Sequence, residues 1–169
     1  MRRSLRQRAL VGLTATLALA TSAAPPARAA DKKKSITAYP APFGSKPSIF
    51  RVRLPEGVSP KGGPAVLKID GVESEGGLIL RVFVAAPEAN LATSMDDKRY
   101  AGNVSIVAAG KTAKGKKPPI ANAALELTPE ARALVAAAGE LVVTIVPTDV
   151  DGKEPAAASF TIKKIALDL

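Results

Sequence analysis

The amino-acid sequence predicts a mainly β protein, an antiparallel β-sandwich of about seven strands with one short crossover helix near residues 129–138. Two observations favour this class. Short segments in which apolar and polar residues alternate recur along the chain, and turns rich in glycine and proline separate them. Only one segment has the apolar spacing of a helix. The chain has 169 residues, is 47% apolar and contains no cysteine, so we expect its core alone to hold the fold.

The first 29 residues are predicted to be a secretory signal peptide. An arginine-rich head precedes the apolar run at residues 10–24, which is too short to span a bilayer. Ala27 and Ala29 supply the small residues that a signal peptidase reads. Arg2-Arg3 resembles a twin-arginine signal, so general and twin-arginine export both stay open. We therefore expect an exported protein, periplasmic or extracellular, with no membrane span once the signal is removed.

The net charge of +9 is largely a property of this signal. Residues 1–30 contain five arginines and no acidic residue, which leaves +4 for the rest of the chain. Lys32–Lys34 account for most of that remainder. A folded region so close to neutral gives no reason to expect nucleic acid as a partner.

Residues 30–47 are predicted to form a tether rich in lysine and proline, in front of a β-sandwich domain at residues 48–169. Tyr39 and Phe43 lie on this tether, where they have no core of their own. They are candidates either for docking onto the domain or for contact with a partner protein.

The domain is predicted to contain seven strands. They lie near residues 50–54, 65–69, 78–85, 100–106, 123–127, 141–146 and 159–167. Pro87 ends the third strand because it has no N–H to donate to a ladder. Leu141–Val146 is apolar apart from one threonine, which is typical of a strand buried on both faces.

The single helix has start and stop signals of its own. Thr128–Glu130 supplies an N-cap, a proline at the first helical position and an acidic residue in the first turn. Gly139 is expected to end the helix in a left-handed conformation. Four residues at the spacing i, i+3, i+4, i+7 are expected to face the sheet: Ala131, Leu134, Val135 and Ala138.

The loop between the third and fourth strands is polar. Asp96 and Asp97 could pair as an acid and a base, but a surface loop would keep both ionised, so structural or solvated roles are favoured. Tyr100 stands where this loop enters the next strand. We expect it to be half-buried with its hydroxyl bonded to the backbone, and it is also a candidate for partner contact.

The composition excludes several kinds of chemistry. The chain contains no histidine and no cysteine, so it cannot form a Ser-His-Asp or Cys-His nucleophile, a histidine-ligated copper or zinc site, or a reactive thiolate. We predict a non-enzymatic protein without catalytic residues, cofactor or metal. Asp149–Gly152 resembles the opening of a calcium loop, but the later ligands are missing, so a turn is favoured.

Several motifs in order resemble a known family. Leu80–Val84 continues into Ala86–Glu88, and an Asp-rich loop leads into Tyr100–Gly102. Leu125–Thr128 precedes the helix, and Val143–Pro147 follows it. In order and approximate spacing, the segment from about residue 64 to the C-terminus resembles the C-terminal β domain of polyphenol oxidases, the tyrosinase-like type-3 copper enzymes.

The resemblance implies a function, which we state as an expectation. In that family the β-sandwich packs over the copper domain, covers the entrance to the dicopper site and can assist maturation. The copper domain and its histidines are missing here. The resemblance therefore implies a secreted accessory module that shields, or assists the maturation of, a separately encoded copper oxidase. No motif in this sequence places the blocking residue of the family.

A structural or adhesive module of the cell envelope is the alternative. Lys32–Lys34 and the basic loop at Lys111–Pro119 would then rest on anionic polymer. For the loop itself, a merely solvated role is the simpler interpretation.

Overall fold

A computed structural model describes residues 35–38, 43–74, 76–107 and 120–169. Three sequence predictions lie outside these residues: the signal peptide with Ala27 and Ala29, the aromatic Tyr39, and the two basic segments at 32–34 and 111–119. Within the described part of the chain, no helix is long and apolar enough to cross a membrane.

The described residues form two antiparallel sheets, one α-helix and one 3-10 turn, which confirms the predicted class. The elements in chain order are β1 (Ser35–Ala38), β2 (Ser48–Arg53), a 3-10 turn (Pro60–Gly62), β3 (Val66–Ser74), β4 (Leu78–Val84), β5 (Tyr100–Ile106), β6 (Ile120–Glu126), α1 (Pro129–Ala138), β7 (Glu140–Thr148), β8 (Phe160–Thr161) and β9 (Lys164–Asp168). The first sheet has the order β1-β9-β3-β6, with β8 also paired to β3, and the second has the order β2-β7-β4-β5.

The core lies between the two sheets. Leu80 and Val82 of β4 face it from one sheet, and Leu67 and Ile69 of β3 face it from the other, all without solvent exposure. The side chains of a strand point alternately to its two faces, so these alternate residues of each strand meet in the same core.

Part of the predicted tether belongs to the first sheet. Ser35–Ala38 pairs antiparallel with β9 along its whole length. This strand is too short for its alternation to be visible in the sequence, because it depends on a partner distant in the chain. The last predicted strand, near residues 159–167, is divided in the structure into β8 and β9.

The helix has the predicted bounds and caps. The backbone N–H of Ala131 donates to Thr128 Oγ1 at 3.1 Å, and Gly139 ends the helix with a φ of 65°. The predicted apolar stripe is wrong in two places, however. Ala131 and Val135 are buried, whereas Leu134 is 44% exposed and Ala138 is also exposed. The helix packs on β7 and on the 3-10 turn through residues one turn apart, so the stripe it buries is narrower than the sequence indicated.

Strand register determines which connections lie together. Arg53 pairs with Glu140, Val84 pairs with Val143, and Val66 pairs with Glu126. The β2–β3 connection, the β4–β5 connection and α1 therefore lie at the same end of the sandwich. The turn after β7 lies at the opposite end, where Thr148 pairs with Ile79.

Candidate functional site

The connection between β4 and β5, residues 85–99, folds over the outer face of the second sheet. We call it the β4–β5 loop. Beneath it, Phe83 and Val146 are fully buried together with Ala86 and Ala89, forming a small second core. This explains why every residue of β7 from 141 to 148 is buried: the inner side chains enter the main core, and the outer ones are largely covered by the loop.

Two contacts attach the start of the loop to β7. Ala85 adopts a φ of 57°, which is uncommon for a residue other than glycine, and its N–H donates to the carbonyl of Val142 at 2.8 Å. The buried hydroxyl of Thr144 donates to the carbonyl of Ala86 at 2.8 Å. The backbone therefore turns sharply out of β4 and is held against the neighbouring strand.

An ion-pair cluster fixes the end of the loop. Arg99 forms a two-pronged contact with Asp97, in which Nε reaches Oδ1 at 2.9 Å and a terminal nitrogen reaches Oδ2 at 2.8 Å. A second terminal nitrogen of Arg99 pairs with Glu88. This planar, charge-assisted geometry is the strongest that arginine makes with carboxylates, so it ties the two ends of the loop together.

The same cluster shifts the pKa values of its members. Hydrogen bonds from the Arg99 side chain and backbone lower the pKa of Asp97 to about 2. The two carboxylates raise the pKa of Arg99. The pKa of Glu88 is lowered by its own backbone N–H and by Arg99. A carboxylate held ionised in this way is a poor general acid, which agrees with the structural role favoured for Asp97.

A groove runs between this loop and α1. Its volume is about 780 Å³. One wall is the end of the loop, from Asp96 to Arg99, and the other is one side of the helix, with Glu130, Ala133, Leu134 and Ala137. Most of the lining surface is apolar, and the charged residues Asp96, Asp97, Lys98, Arg99 and Glu130 also line the groove.

Thr128 connects the two walls. Its hydroxyl caps α1 by accepting from Ala131, and it donates to the carbonyl of Lys98 at 2.7 Å. Because one side chain holds both the helix end and the loop, the width of the groove is fixed at its base. The sequence identified Thr128 as a cap, but it gave no sign of this second bond.

Tyr100 is half-buried, as predicted, but its hydroxyl has a different partner. The ring packs on Phe83 with centroids 5.4 Å apart, and the hydroxyl donates to the side-chain oxygen of Asn103 at 2.5 Å rather than to the backbone. Burial raises the pKa of Tyr100, and the positive charge of Arg81 opposes that rise. Asn103 follows only three residues later, but a bulge in β5, where Val82 pairs with Gly102 and Phe83 with Tyr100, brings both side chains to the same face.

Phe43 contacts its own domain. Its ring lies 5.1 Å from the ring of Phe50 and 5.3 Å from that of Phe160, measured between centroids. Its backbone also exchanges two hydrogen bonds with Phe160. The structure thus brings Phe43 into the edge of the core, at the opposite end of the sandwich from the groove. Its role in contacting a partner stays a prediction, as does that of Tyr100.

The remaining acidic motif forms a turn. The carboxylate of Asp149 accepts from the backbone N–H groups of Asp151 at 2.9 Å and Lys153 at 2.8 Å. Its oxygen is therefore used within the turn. Nowhere in the described ranges do three or more acidic side chains come together in a group able to hold a metal ion.

The sequence analysis did not identify several residues that line the groove or form its ion-pair cluster. Arg99 was not singled out; its local signal is the aspartate two residues earlier, whose side chain accepts from the Arg99 backbone N–H at 2.8 Å. Leu134 and Glu130 were interpreted only as helix residues. Nothing in the sequence indicates that these residues line a common groove, because the two walls are about 30 positions apart in the chain.

Comparison with known proteins gives a result for the fold. No protein-family model and no curated protein matches the sequence. Among solved structures, the fold is similar to part of a latent apple tyrosinase, with a TM-score of 0.50 and 20% identity, covering 76% of this chain and 28% of that chain. Two structures of latent aurone synthase, a polyphenol oxidase, match with TM-scores of 0.45 and 0.43 at 18% and 16% identity, each covering 73% of this chain and 25% of theirs.

The expected resemblance to polyphenol oxidases is confirmed at the level of the fold. The chain spans little more than a quarter of the length of the apple tyrosinase, which agrees with similarity to one domain of that protein. At this identity the likeness concerns the architecture and does not extend to activity.

Proposed function

We propose that this chain is an exported, non-enzymatic accessory module that binds a separately encoded tyrosinase-like copper oxidase, shielding its copper site or assisting its maturation. The observation that carries the proposal is the similarity of the fold to about a quarter of a latent tyrosinase chain. A domain that resembles part of a latent enzyme suits a protein that controls such an enzyme.

The amino-acid composition of this chain supports an accessory role beside a separate copper enzyme. Imidazole is the usual copper ligand in proteins, and this chain has no histidine and no cysteine. The copper chemistry would therefore belong to the partner. The contribution of this chain would be a surface that excludes water and substrate from the site, or that holds an immature enzyme in a folded state.

The end of the sandwich that carries the groove is rigid, and this also supports a binding role. A shield must keep its shape when it meets its partner, because any ordering on binding costs free energy. The bond between Thr144 and Ala86 and the pairing of Arg99 with Asp97 hold the β4–β5 loop in one conformation. The connections at this end are thus ordered before any partner arrives.

The test is a capture experiment followed by an activity titration. The tagged full chain is incubated with the native exported fraction, and the eluate is assayed for copper and for oxidation of a diphenol. We expect a copper-containing oxidase whose activity is low in the complex and rises when the complex is loosened. An unrelated exported β-sandwich with the same tag is the control.

Two outcomes would contradict the proposal. One is an eluate without any copper protein, and the other is an oxidase whose activity is unchanged at saturating amounts of the chain. Retention on anionic envelope polymer that weakens as salt rises would instead favour the envelope module. The basic segments that motivate that alternative lie outside the described residues.

A further inference from the structure

We infer that the groove between α1 and the β4–β5 loop docks a cationic segment of the partner oxidase, in which an apolar side chain is flanked by lysine or arginine. The inference rests on the proposed function and deepens it, because it names the surface and the chemistry of the contact.

The helix wall of the groove is suited to contact with an apolar side chain. Leu134 is 44% exposed in the middle of α1, although its neighbour Val135 is completely buried. Beside it, Ala133 and Ala137 have small side chains that leave room over the helix. Concave surfaces with a mostly apolar lining and a few polar groups are typical binding sites, and covering Leu134 would remove most of its exposed apolar area from water.

The charge of the groove selects the flanking residues. The residues lining it, together with Glu88, contribute four carboxylates and two cations. Arg99 is neutralised by its two acidic partners, and among the described residues neither Asp96 nor Glu130 forms an ion pair. This leaves a formal local charge of −2, on a chain that carries +4 once residues 1–30 are excluded. An approaching cation is therefore attracted to the groove.

The groove is preorganised for such a segment. Thr128 fixes the distance between its walls, and the pairing of Arg99 with Asp97 fixes the wall formed by the loop. Glu130 stands in the first turn of α1, where the helix dipole stabilises its negative charge. Little conformational entropy remains to be lost from this side of the contact, so the affinity depends mainly on the occupant.

The test compares the affinities of matched variants for the oxidase recovered by capture, measured by biolayer interferometry with the full chain. Leu134→Asp should weaken binding at least tenfold, because it places a charge on the apolar helix wall of the groove. Val150→Asp is the control, since Val150 is 76% exposed in the turn at the opposite end of the sandwich. It should bind like the wild type.

A second variant tests the charges. The double variant Asp96→Lys with Glu130→Lys should weaken binding at least threefold at low salt, with a smaller effect at high salt. Asp151→Lys, in the distant turn, is its control. Should Leu134→Asp fail to fold, as judged by circular dichroism, the double variant decides the question.

The outcomes separate this inference from the proposed function. Loss of affinity in the groove variants but not in the controls would support the groove. Wild-type affinity in the groove variants would overturn the groove and leave the accessory function intact. If the wild-type chain captures no oxidase, both fail.

Discussion

The buried hydroxyl of Thr144 donates to the carbonyl of Ala86 at 2.8 Å, and this bond joins the outer face of β7 to the loop that crosses it. The same carbonyl also accepts from the N–H of Ala89 at 3.0 Å. Both hydrogen-bonding sites of the Ala86 oxygen are thus used beneath the loop. The loop is a folded part of the protein, with its own polar and apolar contacts.

Thr144→Val should lower the free energy of unfolding by about 1 kcal/mol, because it preserves the side-chain volume and removes one buried hydrogen bond. Denaturant unfolding measures the effect. Thr161→Val, at an exposed position in β8, is the matched control and should stay within about 0.5 kcal/mol of the wild type. Equal stability of both variants would mean that the bond to Ala86 contributes nothing.

The pairing of Asp97 with Arg99 should make stability depend on pH in the acid range. The pKa of Asp97 is lowered from 3.8 to about 2 in the folded protein, so the folded state binds this proton less readily than the unfolded state. The contribution is therefore complete above a pH of about 4 and is lost as the pH falls towards about 2.

Unfolding measured across this pH range should show the effect as a difference between proteins. Asp97→Asn should be less stable than the wild type near neutral pH, and the two should converge at a pH of about 2. Asp96→Asn is the neighbouring control. If the gap between the wild type and Asp97→Asn stays constant over the range, the ion pair is not the cause of the stability difference.

Gly102 cannot be replaced without cost. Its φ is 142°, and a Cβ there would lie 2.9 Å from Cδ2 of Leu125 on the opposing sheet. Gly102→Ala should therefore lower the free energy of unfolding by about 1–3 kcal/mol through backbone strain and crowding. Gly76→Ala is the control, because a Cβ at Gly76 meets no atom within 4 Å. A Gly102→Ala variant as stable as Gly76→Ala would contradict this account.

Phe43 should contribute to stability through the aromatic contacts with Phe50 and Phe160. Phe43→Ala is expected to lower the free energy of unfolding by about 2 kcal/mol, less than for a fully buried phenylalanine because the ring is only partly covered. Ile49→Ala, at an exposed position on β2, should cost much less. Unchanged stability in Phe43→Ala would favour a role outside the domain.

The sequence predicted the parts of the site that depend on local patterns. Thr128 and Gly139 bound the helix as expected, since capping depends on residues within one turn of the helix end. The two central strands of the second sheet were correctly located because alternation and continuous apolar runs are features of single segments. The acidic loop and Tyr100 were placed next to each other because they are adjacent in the chain.

What the sequence determined by itself is therefore the class of fold, the positions of most strands, the bounds of the helix and the absence of histidine and cysteine chemistry. The tertiary structure alone decided that residues 85–99 cover a sheet face, that Leu134 is left at the surface and that Thr128 joins α1 to the loop. Each of these depends on contacts between segments far apart in the chain. Such contacts form only when the whole sandwich closes, and no local pattern of residues encodes them.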